Sequence, residues 1–101
     1  MLQNLINQTS IDSALLFEKD GTIIDSINVV KPETITAMSN IIIEMCQGLV
    51  EELNAKKLNQ VILKGESLLV IGTVTPQNQY LIAITKDTTK LGLLLKVLEN
   101  L

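Results

Sequence analysis

The sequence predicts an α/β domain, an antiparallel sheet with helices packed on it, and three features point to that class. Short runs rich in β-branched residues come in two groups, one of two and one of three, each broken by compact turn chemistry. A long stretch of helical periodicity lies between the groups, and shorter amphipathic stretches stand at both ends. The predicted order is therefore helix, two strands, long helix, three strands, helix, without a linker, low-complexity tract or internal repeat.

Each element has its own justification. Leu2, Leu5 and Ile6 recur at i, i+3 and i+4, the spacing of a short amphipathic helix, which stops near Thr9 and Ser10. Strand-like runs follow at Ser13 to Glu18 and Thr22 to Ile27. Lys19, Asp20 and Gly21 separate them, and Asp-Gly is a strong hairpin signal because both residues tolerate positive φ. After Pro32, the stretch Glu33 to Ala55 has no further proline, opens on an acidic residue suited to a helix N-terminus, and reaches Lys56 and Lys57 at its other end.

The long helix has an unusually broad apolar side. With Ile42 at zero and a step of about 100° per residue, Ile35, Met38, Met45, Cys46, Leu49 and Leu53 fall on one face, which is expected to cover the sheet. Ile43 and Val50, one heptad apart, lie near one edge of that arc and Ile41 near the other. The arc is wider than the stripe of an ordinary surface helix, so a second packing partner is implied. Glu33, Asn40, Glu44, Gln47 and Glu51 occupy the opposite side.

The remaining strands are Gln60 to Lys64, Leu68 to Val74 and Tyr80 to Thr85. Gly65 and Glu66 mark the first reversal and Pro76 to Gln79 the second, both short enough for antiparallel neighbours. Asp87 or Thr88 then caps a final helix with Leu91, Leu94, Leu95 and Leu98 on its buried face, and Gly92 weakens it.

Composition narrows the function. A chain of 101 residues with 47% hydrophobic content builds one core. Only 19% of its residues are charged and its mean hydropathy is +0.35, so some apolar surface must find a partner. Eight basic residues face eleven acidic ones; all eight are lysines, at 19, 31, 56, 57, 64, 86, 90 and 96, and they form no stripe. With Phe17 and Tyr80 as the sole aromatics, nucleic acid is a poor partner. Unbroken apolar runs such as Ile41 to Ile43 and Leu93 to Leu95 fall far short of the ~20 residues that a bilayer span requires. Met1 to Gln8 lacks the basic start and apolar stretch of a secretory signal, and the lone Cys46 fits a reducing compartment, so the chain is expected in the cytoplasm.

Catalytic chemistry finds little to work with. The chain has no histidine and no arginine, which removes the commonest general base, the imidazole metal ligand and any arginine finger. Neither Lys64-Gly65-Glu66-Ser67 nor Ile71-Gly72-Thr73 has the spacing of a phosphate-binding loop. Cys46 reads as a small inward hydrophobe and Met38 and Met45 as core filling. Asp12, Glu18, Asp20 and Asp25 read as turn and solvent-facing carboxylates, with no metal or cofactor expected.

Three stretches resemble the roadblock (dynein light chain) family, whose fold is profilin-like and longin-like: Ala14 to Ile24, with its apolar strand, Asp-Gly turn and second strand; the helix-to-strand passage Leu49 to Leu63; and Leu91-Gly92-Leu93-Leu94-Leu95-Lys96. The resemblance spans nearly the whole chain and treats residues 1–101 as one domain. It departs where family members often carry an arginine early in the last helix, since Leu95 and Lys96 stand there.

The resemblance implies a five-stranded antiparallel sheet in the order 2-1-5-4-3, with the long helix on one face and the terminal helices on the other. It also implies a homodimer through the edge strand and the long helix, engaging Ile43, Gln47, Val50, Gln60, Val61, Ile62 and Leu63. Roadblock proteins regulate or scaffold small Ras-like GTPases, so such a GTPase is the expected partner, on a face around Asn40, Glu44, Gln47 and Glu51. A motor light chain or complex adaptor is an alternative within the family. From a different class, the same strand order resembles PAS-like small-molecule sensors, although the sheet offers only Tyr80 as a large polar-tipped aromatic to orient a ligand.

Overall fold

A computed structural model describes residues Met1 to Leu101. Helix α1 spans Leu2–Thr9, strands β1 and β2 span Ser13–Phe17 and Ile23–Ile27, and helix α2 spans Pro32–Glu52. Strands β3, β4 and β5 follow at Gln60–Lys64, Leu69–Val74 and Tyr80–Thr85, and α3 covers Leu91–Glu99 after a 3-10 turn at Thr88–Lys90. The sheet has the order β2-β1-β5-β4-β3, with every neighbouring pair antiparallel, as the resemblance implies.

Local chemistry explains the boundaries. Asp20 accepts from the Thr22 amide at 2.9 Å, while Gly21 at φ 94 takes the left-handed step that closes the β1–β2 turn. The Thr22 amide and hydroxyl hold the Asp20 carboxyl below the usual carboxylate range. The register then slips between Leu16 and Phe17, so that Ile24 is the extra residue of a bulge on β2. Helix α2 stops three residues earlier than expected because Asn54 turns left-handed at φ 62 and the amides of Asn54 and Ala55 fold back onto Glu51 and Val50. Asp87 caps the turn before α3 by accepting from the Thr89 amide at 3.0 Å.

The sheet divides the interior into two cores. On one side, Ala14, Leu16, Leu69, Ile71, Leu81 and Ala83 meet Leu2 and Leu5 of α1 and Leu94 and Leu98 of α3. On the other, Leu15, Phe17, Tyr80 and Ile82 meet Ile43 of α2. Strict alternation along β1 and β5 assigns each residue to its side. The Phe17 and Tyr80 rings pack edge to face at 5.6 Å between centroids.

Helix α2 sits differently from the expected orientation. Ile43, placed at the edge of the apolar arc by the periodicity, is only 4% exposed and points into the sheet, while Met38, Met45, Leu49 and Leu53 point to solvent. The helix is turned by about one residue's step, ~100°. Ile43 seats over Gly72, where an added Cβ would lie 3.5 Å from Ile43 Cδ1 and, more tightly, 3.2 Å from Ile82 Cδ1.

Candidate functional site

The turn of α2 creates a surface. Met38, Ile41, Met45, Leu49 and Leu53 run along its outer side, each between 57% and 70% exposed. They recur at helical spacing and form one continuous stripe. The Cβ of an alanine at Gly48, in the same outer region, would touch nothing within 4 Å. No lysine occurs between Pro32 and Ala55, whereas Glu33, Glu44, Glu51 and Glu52 do, so the stripe has an acidic border.

One flank of the stripe leads to the free edge of the sheet. Strand β3 pairs only with β4, and its other edge offers unpaired backbone groups. Ile62 and Leu63 are exposed there. Between α2 and β3 lies a cleft of about 280 Å³ lined by Cys46, Leu49, Val50, Leu53, Leu58, Gln60 and Val61. Cys46 is therefore half-buried on this cleft and not in the core, a correction that follows from the turn of the helix. Ile42 faces the same edge, beside Val61 and Leu63.

The opposite flank holds the polar residues that the sequence marked. Asn40 donates from Nδ2 to the Lys19 carbonyl at 3.3 Å, which ties α2 to the first hairpin. The Tyr80 hydroxyl donates to Glu44 Oε1 at 2.7 Å. Gln47 accepts from the Leu58 amide at 3.0 Å and donates to Glu51 Oε1 at 3.1 Å. Three of the four expected partner-binding residues, Asn40, Glu44 and Gln47, thus fasten the helix to its own chain, and Glu51 supports Gln47.

Tyr80 shows how firmly this flank is built. Burial pushes its hydroxyl up to about 12, with the hydrogen bond to Glu44 and the charge of that carboxylate adding to the effect. The ring lies under Lys19 Nζ at 5.7 Å. An open groove of about 340 Å³ beside it is lined by Lys19, Glu44, Gln47, Glu51, Lys57, Asn78 and Tyr80, with charges of both signs.

The expected dimer residues fall into separate groups. Gln60, Val61, Ile62 and Leu63 share the free edge, and Val50 lines the adjoining cleft. Ile43 is committed to its own core, and the half-buried Gln47 accepts from the Leu58 amide. Ile42, Leu49 and Leu53 stand beside Val50 and the free edge, signalled in the sequence only as part of the wide arc.

Three of the four carboxylates around the first hairpin serve the fold, and the fourth, Asp25, is exposed. Asp12 accepts from the Lys86 amide at 2.7 Å, Glu18 from Gln79 at 3.2 Å and Asp20 from Thr22. Nowhere do three His, Cys, Asp or Glu side chains gather as a metal site. No helix is long and apolar enough to cross a membrane.

No family model matches the chain, and no curated protein does. Solved structures do. MglB of Myxococcus xanthus superposes with a TM-score of 0.82 at 17% identity, over 90% of this chain and 76% of that one. The gliding protein MglB of Thermus thermophilus gives 0.80 at 16%, over 94% and 77%. The Roadblock/LC7 domain of Streptomyces avermitilis gives 0.77 at 13%, over 97% and 91%. At such identities the likeness is one of architecture, and the chain has the roadblock fold.

Proposed function

We propose that this chain is a non-enzymatic regulator or scaffold of a small Ras-like GTPase and works as a homodimer. The observation that carries the reading is the apolar stripe of α2 running into the free edge of β3. Five large side chains left in water on one helix mark an interaction surface. A two-fold mate at β3 pairs the open backbone groups of Gln60–Lys64, and side-by-side α2 helices cover Ile42, Cys46, Leu49 and Leu53. Ile41, Met45 and Gly48 stay uncovered on the outer side of both helices. This is the platform assigned to the GTPase, with the acidic border steering a basic partner surface.

The resemblance of the sequence to the roadblock family and the roadblock fold support the partner class. A chain without arginine inserts no arginine finger, so any faster GTP hydrolysis must come from ordering the GTPase's own residues.

Capture from native extract tests the reading. The chain has no phosphate cradle, so guanine nucleotide released on denaturing the captured complex, in stoichiometric amount, reports a bound GTPase. A complex without nucleotide overturns the partner assignment. Light scattering at micromolar concentration tests the dimer separately, with an expected mass near twice 11.1 kDa.

A further inference from the structure

Two hydrogen bonds fix the direction of each backbone group along the free edge strand β3. The Gly65 amide donates to the Leu68 carbonyl at 2.7 Å, while Lys64 lies directly opposite Leu69. A bond just outside that pair makes Lys64–Leu69 a non-hydrogen-bonded pair, and the two kinds of pair alternate along an antiparallel ladder. Val61 and Leu63 therefore turn their N–H and C=O groups to β4. At the other end of the strand the Asn59 carbonyl accepts from Thr73 Oγ1 of β4 at 3.3 Å, in keeping with the same alternation. The N–H and C=O groups of Gln60, Ile62 and Lys64 are left pointing away from the chain.

We infer that a second copy of this chain pairs with β3 antiparallel in one register, with Ile62 on the two-fold axis. The inference rests on the homodimer proposed above and specifies how its edge is built. In that register Ile62 stands opposite Ile62 of the second copy and Gln60 opposite its Lys64, so every free donor and acceptor of the three residues finds a partner. The side chains agree. Each lysine meets an amide, which can accept from it, and not a second lysine. Val61 stands opposite Leu63 of the second copy, and both lie on the α2 side of the sheet, where Ser39 and Ile42 line the same hollow.

The neighbouring registers satisfy less. An axis at Val61 would set Lys64 opposite Leu58, whose amide is already held by Gln47 Oε1 at 3.0 Å. An axis at Leu63 would set Gln60 opposite Glu66, which lies past the strand in the β3–β4 turn.

The other edge of the sheet explains why pairing stops at two copies. Strand β2 is also a free edge, but it carries the bulge at Ile24 and the exposed Asp25. A bulge and a charge blunt an edge against a regular strand. The edge that matches β3 is therefore another β3, and a β3–β3 pair leaves no second β3 to extend the sheet.

Residue-resolved amide hydrogen exchange tests the register, on the full chain at a concentration where light scattering gives the dimer mass. The amides of Gln60, Ile62 and Lys64 should be protected together with those of Val61 and Leu63, and on dilution to the single chain the first three should speed up by about tenfold or more. A dimer in which any of the three exchanges as fast as the exposed turn amide of Gln77 overturns the register and leaves the homodimer standing. A chain that stays at 11.1 kDa overturns the homodimer and this inference with it. Gln60→Lys sets lysine against Lys64 of the second copy at both ends of the pairing and should raise the concentration of half-dimerisation about three- to tenfold. Gln60→Lys with Lys64→Gln should restore it. A Gln60→Lys chain that dimerises like the parent, or a double variant that fails to recover, overturns the register as well.

Discussion

The two helical layers cover the same sheet in opposite ways. Of the 21 residues of α2, only Thr36 and Ile43 are buried, whereas the 8 residues of α1 bury Leu2, Leu5 and Thr9 and the 9 of α3 bury Leu94 and Leu98. The short helices are sealed to the sheet by aliphatic contact. Their meeting point is locked by Lys90, whose Nζ donates to the carbonyls of Thr9 at 2.9 Å and Ser10 at 2.6 Å and places a cation at the C-terminus of α1. The long helix is held by one deep isoleucine and a line of hydrogen bonds along a single flank. An element so lightly buried for its length keeps most of its apolar surface for other molecules, which is why the partner platform is assigned to α2.

The sharpest way to break this comparison is to truncate residues on the two sides of α2. Ile43→Ala empties a filled site between Gly72 and Ile82 and should cost about 2–5 kcal/mol in urea denaturation. Met45→Ala, measured below the concentration of self-association, should change the stability of the single chain by no more than about 0.5 kcal/mol. Equal losses at the two positions would show that α2 is rotated back to the orientation expected from periodicity alone.

That rotation is also where the sequence stopped being legible. Strand number, strand limits to within a residue and both capped turns were readable, because Asp20-Gly21, Pro76 to Gln79 and Asp87 act locally. The strand order came with the family resemblance. The facing of α2 is a matter of tertiary packing, with Ile43 seated over the distant Gly72, and a helix with apolar residues over more than half its circumference does not say which part meets the sheet. The hydrogen-bonded flank was hidden for a similar reason. Asn40, Glu44 and Gln47 look like solvated helix residues, and the one clue was Tyr80, a phenol on a central strand whose hydroxyl needs a partner when buried. Lys90 gave no signal at all, since its acceptors lie at the other end of the chain.

A second test addresses the hydrogen-bonded flank. Tyr80→Phe removes the donor to Glu44, but the exposed carboxylate regains water, so the loss at neutral pH should be modest, about 0.5–1.5 kcal/mol. Its pH dependence is more telling. The folded chain holds the Tyr80 proton up to about 12, above the ordinary tyrosine value of 10.0, so the folded state binds more protons between these values. The contribution of Tyr80 is fully present below pH 10 and is lost as pH rises toward 12. The difference in stability between the parent chain and Tyr80→Phe should therefore shrink across that window, with lysine titration common to both. A constant difference would mean that the phenol titrates as it does in the unfolded chain.

The smallest effect separates what α2 does for the fold from what it does for a partner. Gly48 sits inside a long helix, where glycine costs about 1 kcal/mol relative to alanine. Nothing in the chain requires it, because a Cβ there meets no atom within 4 Å. Gly48→Ala should accordingly stabilise the chain by about 1 kcal/mol in thermal or urea unfolding. The same methyl group would stand on the outer side of the helix beside Ile41 and Met45, where the partner's surface is assigned. It should therefore weaken capture of a nucleotide-bearing partner while leaving the β3 dimer intact. A variant that is more stable and captures its partner with undiminished affinity would remove Gly48 from the docking surface and shift that surface toward the flank of Glu44 and Glu51. A variant that gains no stability would instead mean that the backbone at Gly48 is held in a geometry that alanine does not share.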